Sequence, residues 1–209
     1  MIGLYMKGGF FMHPILLISV VAFAIALERG WFFWRLRGDA QRIFESLTTR
    51  FSSGDFEGAT QMAAKIVGPV GVVLREGLKH SSDGPEIVQE AMAIRGEMVL
   101  QTVRRGIPIL ALAASVAPLL GLLGTVVGLV EAFQKVAGME AHVSPALLAS
   151  GIWAALVTTV GGLFVAIPAL IVHHYFQEKA AHVAFQIEHY GSELLLVMKR
   201  GAQSKSTAT

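Results

Sequence analysis

Ala117-Pro-Leu-Leu-Gly-Leu-Leu-Gly-Thr-Val-Val-Gly128 and Gly151-Ile-Trp-Ala-Ala-Leu-Val-Thr-Thr-Val-Gly-Gly-Leu-Phe-Val-Ala-Ile-Pro-Ala169 decide the fold of this chain. They lie inside two charge-free apolar stretches, Gly106–Val130 and Val143–Val172. Each stretch exceeds the ~20 apolar residues that a helix needs to cross a bilayer core. Lipid supplies no hydrophobic force between helices, so spanning helices that associate tightly need small residues where their backbones approach. Ala114, Ala117, Gly121, Gly124, Thr125 and Gly128 recur at steps of one helical turn, as do Gly151, Ala154, Thr158 and Gly161, with Ala166 five residues further on. Helical geometry gathers each set on one side. The pattern predicts a membrane bundle whose helices meet along a weakly polar line, with Ala117, Pro118, Gly121, Gly124, Gly128, Gly151, Gly161 and Pro168 as packing residues.

Composition agrees. Mean hydropathy is +0.58, and 15% of the 209 residues are charged, values of an integral membrane protein. With no cysteine, a disulfide framework, a thiolate metal site and a cysteine nucleophile are excluded. The net charge of +2 and pI near 9.0 arise from basic residues flanking the apolar runs, and no basic patch with interleaved aromatics points to nucleic acid. A further apolar run, Phe10–Leu27, carries Ala22-Phe23-Ala24, which resembles a signal-peptidase site. The tripeptide sits inside the apolar core, and Glu28-Arg29-Gly-Trp-Phe-Phe-Trp-Arg35 follows it. Aromatics beside basic residues anchor a span at the membrane interface, so the run reads as a retained first span.

The resulting expectation is an all-α integral membrane protein with three transmembrane helices and long cytoplasmic helical extensions. Residues 1–34 would hold the outward N-terminus and first span, 35–105 a cytoplasmic helical domain and 106–133 the second span. Residues 134–144 would form an outward link, 145–175 the third span and 176–209 a cytoplasmic helix with a disordered tail from Ala202. Orientation follows from charge: Arg35–Arg105 holds ten Lys or Arg, whereas Lys7 is the only basic residue before the first span and Lys135 the only one in the link. Positive charge stays in the cytoplasm. Asp55 or Ser53 is placed to cap a helix starting near Phe56, and Pro85 suits a first helical turn. The second span would continue a cytoplasmic helix, with Gly106 and Pro108 permitting a kink. Phe176, Ala180, Val183, Ile187, Tyr190, Leu194 and Val197 form an amphipathic continuation of the third span that requires a partner face.

No catalytic constellation assembles. The glycines of Gly121–Gly128 follow no strand, so helix packing explains them better than phosphate binding. His173 and His174 point about 100° apart on a helix, which disfavours a metal site. His13, His142, His182 and His189 form no cluster. Ser115, Ser150, Thr158 and Thr159 have no His or Lys within helical reach to activate them. No cofactor or metal is expected. Thr125, Thr158 and Thr159 interrupt the small-residue stripes at comparable depth, and an interhelical hydroxyl pair lining a narrow, wettable cavity is the functional expectation. The alternative is that each hydroxyl returns to its own helix carbonyls. Hydroxyls relay or coordinate an ion but do not hold a transported proton at ordinary pH. An ion path needs an intramembrane carboxylate, and Glu28 and Glu131 lie at span ends. The titrating group would come from a second protein. A single copy is expected to leave Thr125, Thr158 and the glycines facing lipid, which argues for an oligomer.

Taken in order, these residues resemble the ExbB/TolQ/MotA family of ion-driven motor proteins, closest to its three-span ExbB/TolQ branch. Glu28-Arg29 after the first span, the Gly54-Asp55-Phe-Glu57 turn, Glu90-Ala91-Met92 before a long helix, and the two quoted span motifs carry the likeness. The resemblance implies an inner-membrane homopentamer around two copies of an ExbD/TolR-like single-span partner with an essential aspartate. It also implies a further TonB/TolA-like protein that receives the work, and Thr125 and Thr159 as channel residues. Thr158 and Ala154 rank as either pathway or packing residues. Where ExbB and TolQ commonly carry a glutamate, this chain has Ala154, which leaves proton and sodium both open. The resemblance implies TonB-type transport or Tol-Pal-type envelope maintenance driven by the proton-motive force. A passive membrane scaffold recruiting partners through its cytoplasmic helices is the alternative, and an enzyme is disfavoured.

Overall fold

The computed structural model describes residues 10–36, 40–53, 55–137 and 145–206. The sequence expectations for Lys7, Gly54, Glu140, His142 and residues 207–209 lie outside the described residues. Among the described residues all regular structure is helical: α1 Met12–Arg35, α2 Ala40–Ser52, α3 Phe56–Lys65, α4 Pro69–Lys79, α5 Pro85–Arg104, α6 Ile107–Ala137 and α7 Pro145–Ser206. Three helical stretches are long and apolar enough to cross a membrane: Met12–Arg35, a window within Pro85–Ala137, and a window within Ala149–Arg200. The protein is therefore an all-α, multi-pass membrane protein. The chain divides into two compact units, Met1–Gly30 with Gly106–Phe176, and Trp31–Arg105 with Gln177–Thr209.

The second unit is built like a water-soluble domain. Helices α2, α3, α4 and α5 pack successively on one another. Their core is made of large apolar side chains, with Leu47, Ile66, Leu74 and Leu194 all fully buried. Such burial contributes about 1.5–3 kcal/mol for each large aliphatic or aromatic side chain. The apolar row of α7 finds its partner face within its own chain: Ile187 lies against Gly96 of α5, and Tyr190 packs on Phe44 of α2 with ring centroids 4.7 Å apart. Asp55 caps α3, accepting the Gly58 N–H at 2.8 Å and an Arg50 guanidinium N–H at 3.0 Å. These bonds hold its carboxyl below the ordinary value near 3.8, the Gly58 bond contributing most. Pro69 and Pro85 each occupy a first helical turn, where the missing N–H costs nothing.

Two features differ from the sequence expectation. Helices α5 and α6 do not run together: Arg105 is extended and Gly106 takes φ = +78°, a conformation that side chains other than glycine rarely adopt. A Cβ there would also approach Ile25 Cγ2 to 3.2 Å. At the other end α7 continues to Ser206, so residues 202–206, expected as part of a disordered tail, are helical. Extending an existing helix adds one hydrogen bond per residue without a new nucleation cost, and that outweighs the polar composition.

The first unit holds α1 up to Gly30, α6, and α7 up to Phe176. At its rim Arg29 is 4% exposed although its Glu28 partner is 59% exposed. The sequence presents that arginine as an interface anchor; the structure turns it inward while its ion pair reaches out. His173 Nδ1 lies 3.1 Å from the Ile107 carbonyl oxygen. The ring thus donates to a backbone acceptor and ties α7 to the first turn of α6, which accounts for this histidine without a metal.

Candidate ion pathway and the α6–α7 seam

Small residues let α6 and α7 approach to backbone contact. Ala117, Gly121 and Gly124 are buried on α6, and Ala155, Thr158, Gly162, Ala166 and Ala169 on α7. A Cβ added to Gly121 would stand 2.9 Å from the Thr158 carbonyl oxygen and from Thr159 Cα. One added to Gly162 would stand 2.5 Å from the Ala117 carbonyl oxygen. Farther along, Gly128 faces Ala155 and Gly151 faces Ala132, with added Cβ distances of 3.0 and 2.6 Å to the alanine methyls. Six of the residues singled out as packing positions thus behave in two ways: Ala117, Gly121, Gly124, Gly128 and Gly151 line the seam, whereas Gly161 faces Met12 of α1, its added Cβ 3.2 Å from the sulfur. Gly162, which sequence reasoning passed over, occupies the seam instead. Its signal was present as the four-residue step from Thr158.

The prolines contribute differently. Pro118 is half-buried inside α6. Pro168 is exposed and lines a side-opening cavity of about 230 Å³ with Ser19, Ala22, Phe23, Leu110 and Phe164. Lacking an N–H, Pro168 leaves the Phe164 carbonyl without its helical donor.

The structure sorts the three threonines. Thr158 is 2% exposed, and its hydroxyl lies 2.6 Å from the Ala155 carbonyl oxygen of its own helix and 3.1 Å from that of Gly121 across the seam. Gly124 is confined by the same hydroxyl, an added Cβ meeting it at 2.7 Å. Thr159 is half-buried, and its hydroxyl also donates to the Gly121 carbonyl, at 3.0 Å. Thr125 is half-buried, with its hydroxyl 2.6 Å from the Leu122 carbonyl oxygen of its own helix. Ala154 is half-buried one turn before Thr158.

Two expectations are corrected. The hydroxyls do not pair with one another: backbone carbonyls take them, Leu122 for Thr125, Gly121 for Thr159, and Ala155 with Gly121 for Thr158. None of the three threonines lines the cavity beside Pro168. Nor does a single copy leave Thr158 and the glycines to lipid: α6 and α7 of one chain cover them, so the argument for an oligomer from their exposure does not hold. Thr125 and Thr159 remain at the margins of the seam, each with a hydroxyl oxygen that retains acceptor capacity. No carboxylate lies between Ile107 and Val130 or between Ala149 and Phe176.

A membrane-embedded helical pair with a tight small-residue seam defines the class of multi-pass helical membrane proteins. The comparisons narrow that class. Residues 66–189 match the MotA/TolQ/ExbB proton channel family. An ExbB-like protein of Synechocystis is 34% identical over 93% of this chain and 78% of its own length. The Tol-Pal system protein TolQ of Haemophilus influenzae is 26% identical over 98% of this chain and 96% of its own length. The biopolymer transport protein ExbB of Pseudomonas putida is 28% identical over 88% of this chain, which spans 60% of that protein. The chain belongs to the MotA/TolQ/ExbB proton channel family.

Proposed function

We propose that this protein is the ring-forming subunit of an ion-driven motor in a bacterial inner membrane, with its N-terminus outside and its C-terminus in the cytoplasm. It assembles as a homopentamer around an ExbD/TolR-like partner, whose single membrane helix brings the aspartate that this chain lacks. The second and third spans line the centre and the first lies outside. Ion passage driven by the proton-motive force turns or shifts the partner, and a TonB/TolA-like protein carries the work to an envelope or outer-membrane process. The process is TonB-type transport or Tol-Pal-type maintenance; its relatives are named for biopolymer transport and for the Tol-Pal system.

The sorting of the hydroxyls carries this reading. Thr158 spends its hydroxyl on two carbonyls inside the seam, whereas Thr125 and Thr159 sit at its edges on a charge-free wall. A carboxyl group brought against that wall would find hydroxyl oxygens able to accept its proton or, by turning from their carbonyls, to donate, and no competing carboxylate, which suits a group that must load and release an ion. Co-reconstitution into vesicles tests the proposal. With the cognate partner, ion flux should exceed that of either protein alone and vanish when the partner's membrane aspartate is changed to asparagine. Flux that is absent in the complex, while the complex itself forms, would favour the scaffold function.

A further inference from the structure

Small residues bring backbones together along the α6–α7 seam, whereas between α1 and α7 they leave a gap. Helix α1 meets the rest of its unit at two levels. Near its start, a Cβ added to Gly161 would stand 3.2 Å from the Met12 sulfur. Near its end, Ile25 would stand 3.2 Å from a Cβ on Gly106, and Phe176 4.0 Å from one on Gly30. Between these levels lies the cavity of about 230 Å³ beside Pro168. Its α1 wall runs from Ser19 to Ala26 and its α7 wall from Phe164 to Val172, with the buried Leu110 of α6 behind them. These walls follow the helix axes for about 10 Å and about 12 Å, so the cavity is a slot. Phe23 and Phe164, which line it, are 64% and 65% exposed, so it opens sideways out of the unit. We infer that this slot holds one acyl chain of a membrane lipid.

Depth, shape and lining select this occupant. From Met12 to Leu27 α1 carries no Asp, Glu, Lys or Arg, and Glu28-Arg29 follows, which marks that pair as the polar rim of the span. Along the helix Ala26 lies about 5 Å and Ser19 about 15 Å inward of Arg29. A bilayer core is about 30 Å thick, so the slot runs from just beneath one surface to the midplane. That is the depth range of the chains of one leaflet. A slot of this volume and length is far too narrow for a helix, which is about 10–12 Å across, whereas a hydrocarbon chain is slender enough to lie in it. Of the lining side chains only that of Ser19 is polar. An apolar cavity of about 150 Å³ stays dry even in water and takes up benzene, so a larger one facing lipid fills with hydrocarbon. Left empty, its walls would forfeit their dispersion contacts. A chain seated there is held on two sides by α1 and α7 and from behind by Leu110, unlike one that merely brushes the outside of a span.

Photolabelling reads the slot directly. The full chain and its partner protein are reconstituted in phospholipid vesicles containing a phosphatidylcholine with a diazirine halfway along one acyl chain. After illumination, the labelled residues are mapped by mass spectrometry. The reference is Leu17, 66% exposed and on the opposite side of α1 from Ser19, Ala22 and Ala26. Label should fall on the slot residues of α1 and α7 in several-fold excess over Leu17. Ala22→Phe fills the slot and should lower that labelling several-fold while leaving Leu17 labelled as before. Ser19→Leu, a smaller filler, should act in the same direction and carries the test if the phenylalanine variant does not accumulate in membranes. Slot labelling equal to that of Leu17, the outcome of ordinary lipid contact, would overturn the inference. So would slot labelling below that of Leu17, the outcome if another protein segment covers the mouth, or labelling that survives the filling variants.

Discussion

The α6–α7 seam and the core of the second unit solve the same packing problem in opposite ways. The seam is made of Ala117, Gly121, Gly124, Thr158 and Gly162, residues so small that backbones touch. The second unit instead buries Leu47, Ile66, Leu74 and Leu194. Water drives large apolar side chains together, so size is rewarded there. Lipid does not, and close approach, with dispersion contacts and hydroxyl-to-carbonyl bonds, becomes the means of association. The difference explains why large apolar residues of the spanning segments, such as Leu119 and Phe164, point outward while small ones are buried.

If that contrast is right, added bulk should break one region and lost bulk the other. The largest effect is expected for Gly162→Leu, whose Cβ alone would meet the Ala117 carbonyl oxygen at 2.5 Å. Neither backbone can yield without separating the helices, so the protein should fail to accumulate in membranes, as measured by quantitative blotting; Gly161→Ala, facing the flexible Met12 side chain, should accumulate. Next, Leu74→Ala should destabilise the second unit by about 2–5 kcal/mol, the range for buried leucines. Leu119→Ala, 63% exposed on α6, should change stability by no more than about 0.5 kcal/mol. Comparable losses at both positions, in thermal unfolding of the detergent-solubilised protein, would contradict the contrast. The smallest effect concerns Asp55. Its lowered folded value means that the cap stabilises α3 above the ordinary value near 3.8 and is lost as pH falls through the folded value. Hydrogen exchange should show the first turn of α3 opening in that acid window, whereas Asp55→Asn, still a good cap, should show a weaker pH dependence.

The sequence made some of this readable and hid the rest for definable reasons. Charge-free runs with glycines one turn apart leave few alternatives to packed spanning helices, Asp55 and Pro85 announce their local roles through the chemistry of caps and first turns, and Gly106 was legible only as a point that permits a kink. Rotation was less accessible. Gly161-Gly162 and Thr158-Thr159 are adjacent pairs, and a helix turned by about 100° exchanges their roles. Periodicity alone favoured Gly161, while the structure seats Gly162 in the seam. Thr158, singled out with Thr125 as facing lipid in a lone copy, is the most buried of the three hydroxyls. Nor does local sequence indicate that Arg29 turns inward.

Ion flux through vesicles holding this chain and its partner tests the central claim, that hydroxyls at the seam's margin and the one inside it do different work. Thr→Val keeps shape and removes the donor, and Thr→Ser keeps the hydroxyl. A bond to a charged group contributes about 1.5–3 kcal/mol, so its loss should slow passage by about tenfold to a hundredfold. The account predicts that drop for Thr125→Val with Thr159→Val in complexes that assemble normally, with partial flux kept by the serine versions. It predicts for Thr158→Val a less stable complex with unchanged flux per assembled complex. Wild-type flux in the Thr125→Val, Thr159→Val double variant would contradict it.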